Sequence, residues 1–360
     1  CTYYIIIILK FFIKEKKINI KDLKILSFLT AYLLSIRISG VLIFIEYFIF
    51  LILLINIYKL NTTKLIKIFY KNFILFFLIF LSSFYILSPS YWDNPARVFN
   101  AIQYMSQHVQ TACTITFGEC MKAQNLPSSY IPIWLFFKLP IIILFGLVIF
   151  PIVEKKIFLR KDNTFIIGSL LISTLMIILL LIFLNVNLYD ELRQILFLIP
   201  IIFIVSLCSI YFFSEKYSLH IIIFFIVFFI LQNIKIYPYN YIWLNNFSTI
   251  TKINNVFELD YWGVSSKKIA KFLKKQNLNS NNCIIANRND GIKSFIKNKN
   301  NCFLPIQSLH KKNARPFYIA LIERGVGKGV PNNCDNIYVE KINMNFSKED
   351  LILAKVYKCN

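Results

Sequence analysis

Thr164 to Phe213 reads TFIIGSLLISTLMIILLLIFLNVNLYDELRQILFLIPIIFIVSLCSIYFF, and this stretch decides the fold. Two apolar runs, 164–185 and 194–213, flank a short charged island, Tyr189-Asp190-Glu191-Leu192-Arg193-Gln194. At about 1.5 Å of rise per residue, about 20 apolar residues cross the roughly 30 Å of hydrocarbon in a bilayer. Each run has that length. Lipid offers the backbone no hydrogen bonds, so both runs are expected to be helices. Similar runs stand at 24–37, 40–58, 72–88, 132–152 and 219–236. The first two almost meet at Arg37-Ile38-Ser39-Gly40, which reads either as a tight hairpin or as a bend in one long helix. The reading is an α-helical polytopic membrane protein: residues 1–236 form a transmembrane domain of about seven helices plus a stub.

The stub is CTYYIIIILKFFI, residues 1–13. It is too short to cross and has neither a charged leader nor a small-residue cleavage site, so it is not a signal peptide. It reads as the end of a truncated helix, and the chain as a C-terminal fragment of a longer protein.

Charge patterning supplies an orientation. The net charge is +22, although only 16% of residues are charged and 57% are hydrophobic. Heavy use of Ile, Lys, Asn and Phe also fits an AT-rich genome, which inflates that charge. The lysines punctuate apolar runs and form no single basic face, so membrane lipids and not nucleic acid are the expected partner. Lys14, Lys16, Lys17, Lys21 and Lys24 share one loop; Lys59, Lys64, Lys67 and Lys71 share a second; Lys155, Lys156, Arg160 and Lys161 share a third. Loops poor in Lys and Arg alternate with these, which places the basic set in the cytoplasm. The loop 89–131 and everything beyond 237 are then external, which in a bacterial inner membrane means the periplasm.

Residues 237–360 change character. Ser265–Leu278 reads as an amphipathic helix with Ile269, Phe272 and Leu273 at helical spacing. Cys283–Ala286, Phe303–Ile306, Phe317–Ile322, Ile337–Glu340 and Leu351–Tyr357 read as strands. This predicts a small C-terminal α/β extramembrane domain. Six of the eight cysteines fall in the external set, where disulfides persist. Cys113 with Cys120 and Cys334 with Cys359 are the candidate bridges; free thiols are the alternative. Zinc is disfavoured, since no C-x-x-C occurs and His310 is the sole histidine nearby. Gly325-Val326-Gly327-Lys328-Gly329 lacks phosphate-loop spacing and reads as a turn.

Three places could carry chemistry. In the loop 89–131, Tyr91 and Trp92 are either interface-belt aromatics or an apolar wall for lipid or sugar. Asp93 neighbours them, and Arg97 and His108 are candidate phosphate contacts. In the central island, Tyr189, Asp190 and Glu191 suit a solvated helix N-terminus, whereas Arg193 does not and is suited to bidentate phosphate binding. Finally, Arg37, Glu46 and Lys138 are charges at membrane depth, which are functional candidates by default. For Glu46, pairing with a helix outside this sequence and a substrate role stand open.

Several motifs in order resemble the GT-C class of membrane glycosyltransferases, particularly bacterial relatives of the protein O-mannosyltransferases. Arg37-Ile38-Ser39-Gly40 is similar to their R-x-x-G turn. Trp92-Asp93-Asn94-Pro95, Phe117-Gly118 and Leu126-Pro127-x-x-Tyr130-x-Pro132 resemble their long external loop. Tyr189-Asp190-x-x-Arg193, with a helix containing Pro200 after it, looks like their Y-D-x-x-R segment. Tyr237-Pro238-Tyr239 and Leu259-Asp260-Tyr261-Trp262-Gly263 resemble the segment after their last helix. The resemblance implies inverting transfer of a sugar, mannose for instance, from a polyprenyl-phosphate donor to a glycan, lipid or protein acceptor on the external face. It implies Arg193 as the donor-phosphate contact and leaves a divalent cation open as cofactor. The family's catalytic Asp belongs to a first external loop upstream of this sequence, so Asp93, Asp190 and Asp260 do not inherit its role. A transporter or flippase for a lipid-linked or polyanionic substrate is the alternative. A non-catalytic anchor for the external domain is a third.

Overall fold

The computed structural model describes residues 1–106, 113–251, 253–276, 283–287, 289–296, 302–306, 317–322, 330, 333–344 and 350–359. His108, His310 and the turn Gly325–Gly329 lie outside them. In chain order the helices are α1 (Thr2–Glu15), α2 (Ile20–Ile36), α3 (Ile43–Tyr58), α4 (Thr62–Leu87) and α5 (Arg97–Ser106). The hairpin β1 (Cys113–Thr116) and β2 (Glu119–Lys122) comes next, then α6 (Tyr130–Lys138), α7 (Ile141–Phe158), α8 (Lys161–Phe183), α9 (Ile199–Phe213) and α10 (Ser218–Ile236). The last part contains α11 (Ile253–Val256), α12 (Ser266–Lys275), β3 (Cys283–Ala286), α13 (Asn289–Phe295), β4 (Cys302–Pro305), β5 (Phe317–Ile322), β6 (Cys334–Ile342) and β7 (Leu351–Cys359).

Five helical stretches are long and apolar enough to cross a membrane: Ile38–Tyr58, Leu65–Leu87, Lys161–Phe183, Arg193–Phe213 and Ser218–Ile236. Counting α6 and α7 together as one broken span makes six, among the described residues. The expectation is about seven, and two of the expected runs differ from the others. The run at 24–37 belongs to α2, whose 17 residues fall short of the others. The run at 132–152 is interrupted at Leu139-Pro140. Proline lacks the N–H that continues a helix and pushes the preceding residue out of helical geometry. Leu139 is accordingly extended, at φ −79° and ψ 137°. Helices also reach further into the basic segments than expected. Lys21 and Lys24 lie in α2, and Lys67 and Lys71 in α4. Lysine is a good helix former whose stem can run along apolar surface while its ammonium stays in water.

The chain divides into two compact units. The first comprises residues 1–109, 143–187 and 195–219. Asn19 caps α2: its side chain accepts from the Lys21 N–H at 3.0 Å, and Asp22 in the first turn suits the positive helix end. Arg37 then breaks the helix in an extended conformation, and a 3-10 turn, Ile38–Leu42, leads into α3. The two runs are thus separate helices, interrupted at Arg37 and joined by this 3-10 turn. Phe50, Leu54, Phe165 and Leu9 are fully buried in this unit, with the Phe50 and Phe165 rings edge to face at 5.6 Å. Thr30 and Tyr47 share a hydrogen bond of 2.8 Å between α2 and α3. α7 meets α9 closely at Gly146, where an added Cβ would lie 2.5 Å from the Ser206 carbonyl oxygen. Small residues permit such close helix approach where no hydrophobic force drives helices together. Glu46 is 2% exposed, and its Oε1 has no hydrogen-bond partner among the described residues.

The second unit comprises 110–142, 188–194 and 220–360. Its sheet has the order β4-β3-β5-β7-β6, with β3 parallel to both β4 and β5, and β7 antiparallel to β5 and β6. Alternation sends Ile284 and Ala286 to one face and Cys283 and Ile285 to the other. The first face packs against Ile269 and Leu273 of α12 and Ile292 of α13. The second carries two disulfides, Cys283–Cys302 and Cys334–Cys359. The expected bridge between the last two strands is present, while Cys283–Cys302 joins two cysteines left unassigned from sequence. Their partnership reflects register: Cys283 is opposite Cys302 across the parallel pair. Cys120 is also disulfide-bonded, and the side chain of Cys113 lies outside the described residues.

A sheet domain this small has a limited core, so covalent closure contributes a large share of its stability. Replacing Cys334 and Cys359 by serine is expected to cost about 3 kcal/mol. Thermal melting of the purified protein checks this, and an unchanged midpoint would contradict it. All five expected strands occur, with β6 and β7 longer than read. The hairpin β1–β2 within the loop 89–131 was not expected. It turns on Phe117-Gly118, with φ of 55° and 81°, the left-handed pair that favours a tight two-residue hairpin.

Candidate functional site

The charged island Tyr189–Gln194 lies in the second unit, and its close partners lie there too. Asp190 and Glu191 are buried, at 4% and 5% exposure, and both take left-handed backbone conformations, φ 53° and 62°. Two successive non-glycine residues in that region cost on the order of 1–3 kcal/mol each and persist only where surroundings hold them. The holding groups are identifiable. The Asp190 N–H donates to Thr114 Oγ1 of β1 at 3.3 Å, and the Glu191 N–H donates to Tyr130 Oη of α6 at 3.1 Å. Gln194 Oε1 accepts from the Tyr189 N–H at 3.5 Å.

Those anchors are themselves fixed. Trp134 of α6, fully buried, donates from Nε1 to Thr116 Oγ1 at 3.0 Å. The hairpin is pinned from behind by Gly118 N–H to Val256 carbonyl and Glu258 N–H to Ile115 carbonyl, each 3.0 Å. Phe117, Trp134, Phe137 and Phe257 fill the space between, with Phe137 and Phe257 centroids 4.8 Å apart.

Two cation–carboxylate pairs result. Lys138, the last residue of α6, places Nζ 2.6 Å from Glu191 Oε2 and donates to the Tyr241 carbonyl at 2.7 Å. The pair is almost dry, at 12% and 5% side-chain exposure. Burial pushes the Glu191 carboxyl up to about 7; Lys138 opposes this shift and neighbouring Asp190 adds to it. Arg193 is different. Its Nη1 lies 3.2 Å from Asp190 Oδ2, its side chain is about half exposed, and its guanidinium sits over the Trp262 ring at 5.1 Å. A cation held by a carboxylate on one side and an aromatic face on another keeps its geometry while staying accessible to an anion.

The break after α6 is also served from this unit. Asn245 donates from Nδ2 to the Phe136 and Leu139 carbonyls at 2.5 and 2.9 Å, and its N–H donates to the Phe137 carbonyl at 2.8 Å. These are acceptors that Pro140 leaves without a helical donor. Asn245→Ala is expected to cost about 2 kcal/mol, the penalty for buried acceptors left unsatisfied. A melting midpoint equal to the parent's would refute that role.

Asp260 is fully committed: it accepts from the Tyr241 hydroxyl and from the Val264 and Ser265 N–H groups at 2.9 Å each, fixing the start of α12. Glu340 is likewise occupied, by Lys268 at 2.5 Å and Tyr338 Oη at 2.6 Å. Tyr91, Trp92, Asp93 and Arg97 belong to the first unit. There Tyr91 stacks on Phe84 and Trp92 on Tyr85, Trp92 donating to the Tyr85 carbonyl at 2.6 Å; Asp93 and Arg97 are exposed.

The described residues hold no cluster of three metal-ligating side chains. Sequence reasoning singled out Arg193, Asp190, Glu191 and Lys138 but missed how they pair, and it missed Trp262 as the platform for Arg193. An unusual acidic-basic island next to a solitary helix-end lysine was the available signal. Comparison with family models, curated proteins and solved structures returned no match to this chain.

Proposed function

We propose that the chain is part of a multi-pass membrane glycosyltransferase that moves a sugar from a polyprenyl-phosphate donor to an acceptor at the external membrane surface. The observation that carries this reading is Arg193, a half-exposed guanidinium braced by Asp190 and Trp262 at the start of an apolar stretch long enough to cross the bilayer. A lipid phosphate leaving group gathers negative charge as the sugar departs, and a preorganised cation at the membrane surface stabilises it. Arg193 is the donor-phosphate contact in this reading. Lys138 is not, because Glu191 and the Tyr241 carbonyl already occupy it. Asp190 and Asp260 serve as braces and not as the catalytic acid. The ordered resemblance to GT-C transferases supports the same assignment, and so does the alternation of basic loops; in this reading residues 237–360 lie in the periplasm of a bacterial inner membrane.

One feature favours a second reading, a transporter or flippase for a lipid-linked substrate. Broken helices with charges beside the break are how such proteins build sites within the membrane, and α6 ends at Lys138 immediately before the Leu139-Pro140 break. Reconstitution of the full-length protein with a radiolabelled polyprenyl-phosphate sugar separates the two. Sugar moved onto an acceptor supports the transferase. Intact donor carried across the vesicle membrane supports the flippase and sinks the first reading.

A further inference from the structure

A cleft of about 590 Å³ opens in the second unit, within the volume range of small-molecule sites. It lies at the carboxyl ends of β3 and β4, where Ala286 and Asn287 end one strand and Pro305 ends the other. These two strands form a β-α-β unit: from β3 the chain passes through α13 to the parallel neighbour β4. In parallel α/β sheets, crevices outside such strand ends are where ligands bind.

The lining specifies the ligand's chemistry. Asn289, Asp290 and Ser266 supply hydrogen-bonding groups, and Trp262 supplies an indole that is 57% exposed. None of the described lining residues is a lysine, arginine or histidine, so none of them neutralises a phosphate. A single carboxylate, Asp290, makes a poor cation site, and the described residues hold no metal-binding cluster. Two polar atoms are poised without use. Ser266 is 2% exposed, yet its Oγ has no hydrogen-bond partner among the described residues; the buried Asn289 Oδ1 has none either. Buried polar groups left unpaired are costly, and a ligand that satisfies them recovers that cost. Gly291 lets α13 approach Ser266 closely, because a Cβ there would lie 2.7 Å from Oγ. Asn287 also lines the cleft, but its amide is spent on the Ile322 N–H and carbonyl at 3.0 and 2.7 Å, so it shapes the wall.

We infer that this cleft binds a neutral hexose-sized sugar, whose hydroxyls meet Ser266, Asn289 and Asp290 and whose C–H face lies on Trp262. The inference goes beyond the transferase reading and does not need it, since the cleft shares only Trp262 with the Arg193 site. If both hold, the sugar bound here is part of a glycan acceptor.

The test titrates the full chain in detergent with the methyl glycosides of mannose, glucose and galactose. Binding is monitored by tryptophan fluorescence and by saturation transfer from protein to sugar protons, with inorganic phosphate as the charged control. At least one glycoside is expected to bind, and phosphate is not expected to compete. Asp290→Ala and Asn289→Ala should each weaken binding about tenfold, and Trp262→Ala should abolish it. Asp290 is exposed, so its variant tests the cleft with little burden on the fold. Absence of binding by all three glycosides would overturn the inference, as would equal binding by parent and folded variants or displacement by phosphate. Sugar binding without any transfer from a polyprenyl-phosphate donor would leave this cleft standing and remove the transferase.

Discussion

Replacing Arg193 by alanine should lower kcat/KM for sugar transfer by about 10²–10³-fold, with the loss falling mainly on kcat. The reasoning starts from charge. A polyprenyl-phosphate sugar already carries negative charge in the ground state, but the bridging oxygen gains more as the glycosidic bond breaks. A guanidinium fixed beside that oxygen therefore binds the transition state more tightly than the substrate, which is the condition for accelerating the chemical step. Fixity is what the surroundings supply. Asp190 holds one side of the guanidinium at 3.2 Å, and the Trp262 ring underlies it at 5.1 Å. Arg193→Lys keeps the charge but loses the planar fork that meets a phosphate bidentately and lies flat on an aromatic ring, so it should recover only part of the rate. Trp262→Phe should fall between parent and Arg193→Ala, because a smaller aromatic face remains. Because Arg193 is half exposed, its removal should leave the melting midpoint within a degree or two. Full transfer activity in Arg193→Ala would rule out the donor-phosphate assignment.

How much of this was legible in the sequence differs between levels. The apolar runs were readable because membrane crossing depends on length and composition alone, and the expected positions at 40–58, 164–185, 194–213 and 219–236 match observed helices closely. The strands of the tail were readable for a similar local reason, period-two apolar bursts between polar runs. Pro140 was visible as a residue, yet the break it makes was not foreseen, since its stability depends on Asn245, far along the chain. The same applies to the site. Lys138 stood out as a charge at membrane depth, and Glu191 as part of an acidic island. Nothing local joins them; the long-range contact arises because Tyr130 and Thr114 fold the island's backbone into a left-handed turn. Trp262 sat within a recognisable motif, but its place under Arg193 is a tertiary fact.

The Lys138–Glu191 pair yields a prediction whose sign can be fixed. Glu191 has a usual carboxyl value of 4.5 when exposed and is held at about 7 in the fold, chiefly by burial. Between those values the unfolded chain has lost its proton while the folded chain keeps it. Unfolding therefore releases a proton, and stability falls as pH rises from about 4.5 through 7. The loss attributable to this one group is on the order of 3 kcal/mol, and it is complete above the folded value. At pH 8 the carboxylate is charged, buried and dependent on Lys138, 2.6 Å away. Lys138→Met strips that counter-charge and should cost about 3–5 kcal/mol at pH 8. At pH 5.5 the same variant should cost much less, because a protonated Glu191 needs no cation. Glu191→Gln should behave in the opposite way: it removes the pH slope altogether and, with Lys138 still bonded to the Tyr241 carbonyl, is milder at pH 8 than Lys138→Met. The double variant Lys138→Met with Glu191→Leu replaces a desolvated ion pair by apolar packing and should regain most of the stability lost by the single lysine change. Thermal melting across pH 5–8 in one detergent distinguishes these outcomes. A parent protein more stable at pH 8 than at pH 5.5, with equal deficits for Lys138→Met at both, would mean that Glu191 is charged throughout and that the ion pair, not burial, governs it.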